Sequence, residues 1–184
     1  MKGKHLIIIV LTVAVPALQS CTKQRLQSTY NSQETSIEKY LNTQLQKDTT
    51  RYVVHNAGSN RLVTKEGTGE ELMPGGTLVF TYAGYTFSGS ISSSNLFATN
   101  DSTSAKSAGW NTTMSEISFK PDTLTLSKDN FINGLYNGLC GVQAGEECQI
   151  LFSGEYGFGN KKTGTVSANA ALAYYIWVKS VKNN

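Results

Sequence analysis

Histidine is almost missing from this chain. His5 lies in the first five residues, and His55 is the other of the two. A histidine-rich metal site is therefore excluded, and a Ser-His-Asp triad has a single candidate base in His55, at the end of an apparent strand after Val53-Val54. Cysteine is nearly as scarce, with Cys21, Cys140 and Cys148, and no metal-ligand spacing joins them. Cys140 and Cys148 leave two readings open, a disulfide or two small buried thiols. The second is preferred, because free cysteine commonly packs in cores. No Lys/Arg cluster marks a nucleic-acid face. Long hydrophobic runs are lacking as well. The best, Leu6 to Leu18, would rise roughly 20 Å as a helix, too short for a hydrocarbon core of about 30 Å.

What is present at the N-terminus reads as an export signal. Met1-Lys2-Gly3-Lys4-His5 is a basic head, the apolar run follows, and Leu18-Gln19-Ser20-Cys21 closes it. The last four residues resemble a lipobox, so residues 1–20 are expected to be a lipoprotein signal and Cys21 the lipidated residue. That lipid is expected to be the sole membrane anchor. The implied location is the bacterial cell envelope, facing the periplasm, with the outer membrane expected ahead of the inner. Without Lys2 and Lys4 the formal charge falls from +3 to +1, fourteen basic residues against thirteen acidic. The remaining length fits one domain with a tail.

Residues 21–35 are rich in Gln, Ser and Thr and predict a flexible tether. Thr35 and Glu38 have capping-box spacing, and Ile37, Tyr40, Leu41 and Leu45 recur at helical spacing to Lys47. Residues 36–60 thus predict an amphipathic helix and a strand. Beyond Arg51 the pattern is β: short strands at 51–55 and 61–65 flank the turn former Asn56-Ala57-Gly58. The longest strand is predicted at 77–87, after Pro74-Gly75-Gly76. A Ser/Thr-rich insertion occupies about 88–120, with Phe97, Trp110 and Phe119 as its aromatic anchors, and 123–127 alternates again as a strand. Phe131, Ile132, Leu135 and Leu139 form the apolar stripe of a helix that Ser127 or Asp129 could cap and Gly141 could end. Strands at 148–153 and 172–181 complete an α+β domain over 61–184: five or six antiparallel strands wrapped on one short helix.

In this order the pieces resemble the FKBP-type peptidyl-prolyl isomerases. Lys65-Glu66-Gly67-Thr68-Gly69, Pro74-Gly75-Gly76-Thr77 and Val79-Phe80-Thr81-Tyr82-Ala83-Gly84 follow that family's opening strand. Phe131-Ile132-Asn133-Gly134-Leu135-Tyr136-Asn137-Gly138-Leu139 is similar to its Val-Ile-x-Gly-Trp-x-x-Gly helix. Ala144-Gly145-Glu146, Tyr156-Gly157-Phe158-Gly159 and Asn169-Ala170-Ala171-Leu172-Ala173-Tyr174 match its later turns and closing strand.

The resemblance implies an FKBP-like sheet and an isomerase that needs no cofactor, acting as a monomer on proline-containing polypeptides. It also implies a pocket lined by Tyr82, Phe97, Ile132, Leu135, Phe158 and Tyr174, with Phe131 beside them and the Ile132 N–H holding the substrate carbonyl. Three positions depart from the family: Ala98 stands where an acid follows the loop Phe, Leu135 replaces the floor Trp, and Phe158 replaces a Tyr. Two readings follow, an isomerase of altered efficiency or a non-catalytic polypeptide-binding module of the same fold. A hydrolase centred on His55 is the third.

Overall fold

The computed structural model describes residues 16–113 and 118–184, and of residues 16–21 the backbone alone. Residues 1–15 of the expected leader and the Cys21 side chain, the expected site of acylation, therefore lie outside the described residues.

Helix α1 runs from Pro16 to Lys47. Residues 22–35 thus belong to a helix, not to the expected flexible tether. The physical reason is packing of one face of α1 on the domain; the hydroxyls are accommodated by bonding back to the carbonyl four residues earlier, Thr29 to Arg25 at 3.1 Å, Thr35 to Asn31 at 3.0 Å and Ser36 to Ser32 at 2.9 Å. Thr35 is accordingly a mid-helix residue and caps nothing. From Tyr30 onward one stripe of α1, with Ile37 and Leu41, is buried against the domain. The stripe recurs at three- and four-residue steps, as the helical repeat requires.

Among the described residues, seven strands form one antiparallel sheet: β1 (Tyr52–Asn56), β2 (Ser59–Lys65), β3 (Thr77–Thr86), β4 (Leu96–Thr99), β5 (Asp122–Thr125), β6 (Glu147–Phe152) and β7 (Leu172–Lys182). Their order is β1-β2-β6-β7-β3-β4, and β5 pairs with β3 beside β4. β1 and β2 join through Ala57 and Gly58 at φ 44° and 81°, the left-handed pair that a two-residue hairpin demands. The sheet has more strands than expected because β4 lies inside the Ser/Thr-rich insertion. That segment also forms α2 (Ser102–Ser107), with the Asp101 carboxylate accepting from the Ser104 N–H at 2.7 Å as its N-cap.

Helix α3 (Asn133–Leu139) covers one face of the sheet, and α1 covers the other. α3 is shorter than expected: neither Ser127 nor Asp129 caps it, and Ile132 precedes its first turn. Its orphan donor at Gly134 instead gives a 2.8 Å hydrogen bond to the Tyr156 carbonyl. Gly134 and Gly138 lie on the face pressed to β6; a Cβ at either would come within 2.2 Å of the Phe152 ring or 2.3 Å of Ile150. Cys140 and Cys148 are separate thiols, the second buried in the core.

Candidate functional site

Between α3 and the sheet's curved face lies a cavity of about 220 Å³. β3 supplies Phe80 and Tyr82, β7 supplies Tyr174 and Ile176, and Phe131 and Leu135 come from α3 and the turn before it. Residues two apart on a strand share a face, which is why each strand contributes its pair. Phe97 on β4 and Phe158 in the loop after β6 close the ring.

The aromatic walls meet mostly edge to face. Phe97 and Tyr174 have centroids 5.7 Å apart at 88°, and Phe97 and Phe158 are 6.2 Å apart at 74°. Tyr82 lies 6.4 Å from Tyr174 at 45°. These are the separations at which ring quadrupoles attract. Behind them, Phe152 stacks on Tyr174 at 6.0 Å and holds it from the core side. Gly84 is what lets the rings converge: a Cβ there would sit 2.7 Å from the Tyr174 ring and 3.0 Å from Phe97.

Phe131, Leu135, Tyr82, Phe97, Phe158 and Tyr174 therefore all line one cavity. Ile132 does not. Its side chain packs against the core beside the cavity, and its backbone, extended at φ −62° and ψ 153°, opens the helix. Its carbonyl accepts from the Tyr136 N–H at 2.9 Å, while its N–H precedes the helical ladder and is not used by it.

Burial, and then the Asp122 carboxylate, hold the Tyr82 hydroxyl above its ordinary pKa. Tyr174 is raised further, by burial first and Tyr82 second. Both hydroxyls stay protonated and able to donate near neutral pH.

Ala98 lines the cavity too, and so do Phe80, Asp122, Leu124, Asn130 and Ile176, which were not expected there. The pattern Asp122-Thr123-Leu124-Thr125 carried the signal, since its even-numbered members share one face; reading the strand from Thr123 hides it. Asp101, the acid nearest Phe97 in sequence, is spent on capping α2.

His55 is exposed, and its Nδ1 lies 2.7 Å from the Asn60 side-chain oxygen, an amide where a triad requires a carboxylate. It borders a groove of about 360 Å³ between α1 and the β1–β2 hairpin that has no converging rings. Among the described residues, no group of three His, Cys, Asp or Glu side chains is placed to hold a metal ion, and no helix is long and apolar enough to cross a membrane.

Residues 68–179, more than half of the chain, match the family described as FKBP-type peptidyl-prolyl cis-trans isomerase. No curated protein matches the chain. Among solved structures, FkpA from Escherichia coli superimposes with a TM-score of 0.56 at 17% identity, over 90% of this chain and 67% of that one. A peptidyl-prolyl cis-trans isomerase from Pseudomonas syringae pv. tomato gives 0.57 at 16% identity, over 85% and 96% of the two chains. The N-terminal domain of FKBP42 from Arabidopsis thaliana gives 0.53 at 18%, over 72% and 93%. At such identities the structural likeness speaks to the fold. The family match, the fold and the aromatic cavity agree, and the chain belongs to the FKBP-type peptidyl-prolyl cis-trans isomerase family.

Proposed function

We propose that the cavity binds the proline of an exported polypeptide and speeds rotation of the bond preceding it. The observation that carries this reading is the convergence of Tyr82, Phe97, Phe158 and Tyr174 on one 220 Å³ cavity beside the start of α3. Rotation about an X-Pro bond must break amide resonance, with a barrier of about 18–20 kcal/mol. The twisted amide has lost conjugation and is less dipolar than the planar one. An apolar, water-poor wall disfavours the planar form more, so binding is tighter where the barrier stands. No nucleophile, acid or metal takes part. Phe97, Phe158 and Tyr174 provide the wall, Leu135 the floor, and the Ile132 N–H a donor for the substrate carbonyl. Tyr82, still protonated, adds a second polar contact at the rim.

We further propose that the chain works in the cell envelope, held by a lipid on Cys21 as its sole anchor, as a monomer. Exported chains cross the membrane unfolded and isomerise prolines slowly, over tens to hundreds of seconds.

A second reading is a polypeptide-binding module without catalysis. It is favoured by Phe158, which offers no hydroxyl, and by Leu135, too small to cover a pyrrolidine ring. A protease-coupled isomerisation assay on the chain from Cys21 onward, with several X-Pro peptides, decides between them. Acceleration above the thermal rate supports the isomerase; peptide binding without acceleration supports the module.

A further inference from the structure

Among the described residues, one carboxylate lines the cavity, and it comes from a strand edge. Asp122 opens β5 directly opposite Phe80 in the antiparallel ladder. Along β5 the residues alternate between half-buried and exposed, so Asp122 and Leu124 turn toward the cavity while Thr123 and Thr125 face solvent. Among the described residues that line it, Asp122 is the only Asp, Glu, Lys, Arg or His. Among the described residues it has no salt-bridge partner. Lys120, two residues earlier, is exposed and forms no ion pair with it, and Lys128 is engaged 5.7 Å over the Tyr136 ring.

We propose that Asp122 is a specificity determinant of this cavity, selecting peptides that carry a lysine or arginine next to the proline. The proposal rests on the prolyl-peptide reading given above. Two features of the rim act in the same direction. The carboxylate attracts a cation across a partly desolvated space, where charges interact more strongly than in bulk water. The rings of Phe80 and Tyr82, 5.9 Å apart on the strand that pairs with β5 and both lining the cavity, add aromatic surface of the kind that attracts a cation. An acidic neighbour of proline meets repulsion from both. An apolar neighbour gains from neither.

The test compares kcat/KM for two peptide series, Xaa before and Xaa after the proline, with Xaa as Lys, Leu or Glu. Each is run on the wild type and on Asp122→Asn, which keeps the shape and removes the charge. In the wild type the Lys peptide should be preferred over the Glu peptide by about tenfold in one series, equivalent to about 1.4 kcal/mol. The preference should shrink as salt rises. In Asp122→Asn it should fall to about twofold or less; taking a ratio cancels any general loss of activity. An unchanged Lys-to-Glu ratio in the variant overturns the proposal. If no peptide is isomerised, the isomerase reading fails, and dissociation constants for the same peptides take over. A Lys preference in binding that vanishes in Asp122→Asn then supports the role of Asp122, and equal binding overturns it.

Discussion

The side chain of Gln33 holds Asn169: its Nε2 donates to the Asn169 carbonyl at 2.8 Å, while its Oε1 accepts from the Gly154 N–H at 2.9 Å. One amide thus ties α1 to both ends of the segment that carries Phe158. Tyr30 adds a hydroxyl bond to Asn169 Oδ1 at 2.8 Å, and the Asn169 N–H itself donates to the Gly159 carbonyl. Asn169 has a positive φ of 58°, so its backbone is in a conformation that these bonds must maintain.

Removing this tie should loosen the loop. Gln33→Ala leaves the Gly154 N–H and the Asn169 carbonyl without their partner. The expected loss is about 1–3 kcal/mol, the range for orphaned buried polar groups. Urea denaturation measures it, and KM for a proline peptide should rise more than kcat falls, because Phe158 is a wall of the cavity. A variant as stable as the wild type would show that α1 is a passenger.

Gly84 is the second point of control. The Cβ of Gly84→Ala would sit 2.7 Å from the Tyr174 ring and 3.0 Å from Phe97, so both rings must shift or the strand must bend. Overpacking of this kind costs about 1–3 kcal/mol. Isomerisation should fall by at least tenfold, while far-ultraviolet circular dichroism stays close to that of the wild type.

The sheet, the helix α3 and most of the cavity were legible in the sequence, because period-two and helical spacings report which residues share a face. Tyr82, Leu135 and Tyr174 could be placed that way and by family likeness. The extent of α1 could not. Its Ser and Thr residues read as coil formers, yet in the helix their hydroxyls bond back to the preceding turn, a choice that composition does not reveal. The reading of 88–120 as one insertion missed β4, since Leu96–Thr99 is four residues long and pairs only with β3. Ile132 stands apart: its motif neighbours line the cavity, while its side chain packs on the same core cluster just outside that lining. Asp122 escaped because a carboxylate at a strand end looks like solvent-facing surface until the partner strand is known.

Cys21 gives the test of location. Cys21→Ser should abolish metabolic labelling with a fatty acid and leave either unprocessed precursor or protein that no longer fractionates with membranes. Membrane association unchanged in the Ser variant would remove the lipoprotein proposal.

Glu146 predicts a pH effect of uncommon sign. It is buried beside Arg61, Oε1 to Nε 3.5 Å, and burial raises its pKa above the ordinary 4.5 despite the opposing pull of the guanidinium. An acid whose pKa is raised by folding binds its proton more tightly in the folded state. Its contribution to stability therefore grows as pH falls from neutral through the raised value, and levels off below 4.5. Glu146→Gln should remove that component, so the urea midpoint of the wild type, relative to the variant, should rise between pH 7 and pH 5. A relative fall would mean that the Arg61 charge outweighs burial.

The cavity floor offers the sharpest test of whether catalysis here has been tuned down or lost. Leu135 lines the cavity from α3, one turn from the Ile132 N–H, and Phe158 lines the same cavity from the loop after β6. Leu135→Trp would supply a flat aromatic surface for the pyrrolidine ring, and Phe158→Tyr would return a hydroxyl near the substrate carbonyl. Both act on one bound peptide, so their effects should couple rather than add. The double variant is expected to gain on the order of tenfold in kcat/KM, about 1.4 kcal/mol of transition-state stabilisation. The rival outcome is steric. Leu135 already packs against the core cluster, and indole is larger, so a floor that cannot recede would lower stability instead. Isomerisation and thermal unfolding measured on the same samples separate the two. A double variant that unfolds at the wild-type temperature yet gains no activity would mean that floor and hydroxyl are not what limit the rate, and would turn the balance toward a binding module.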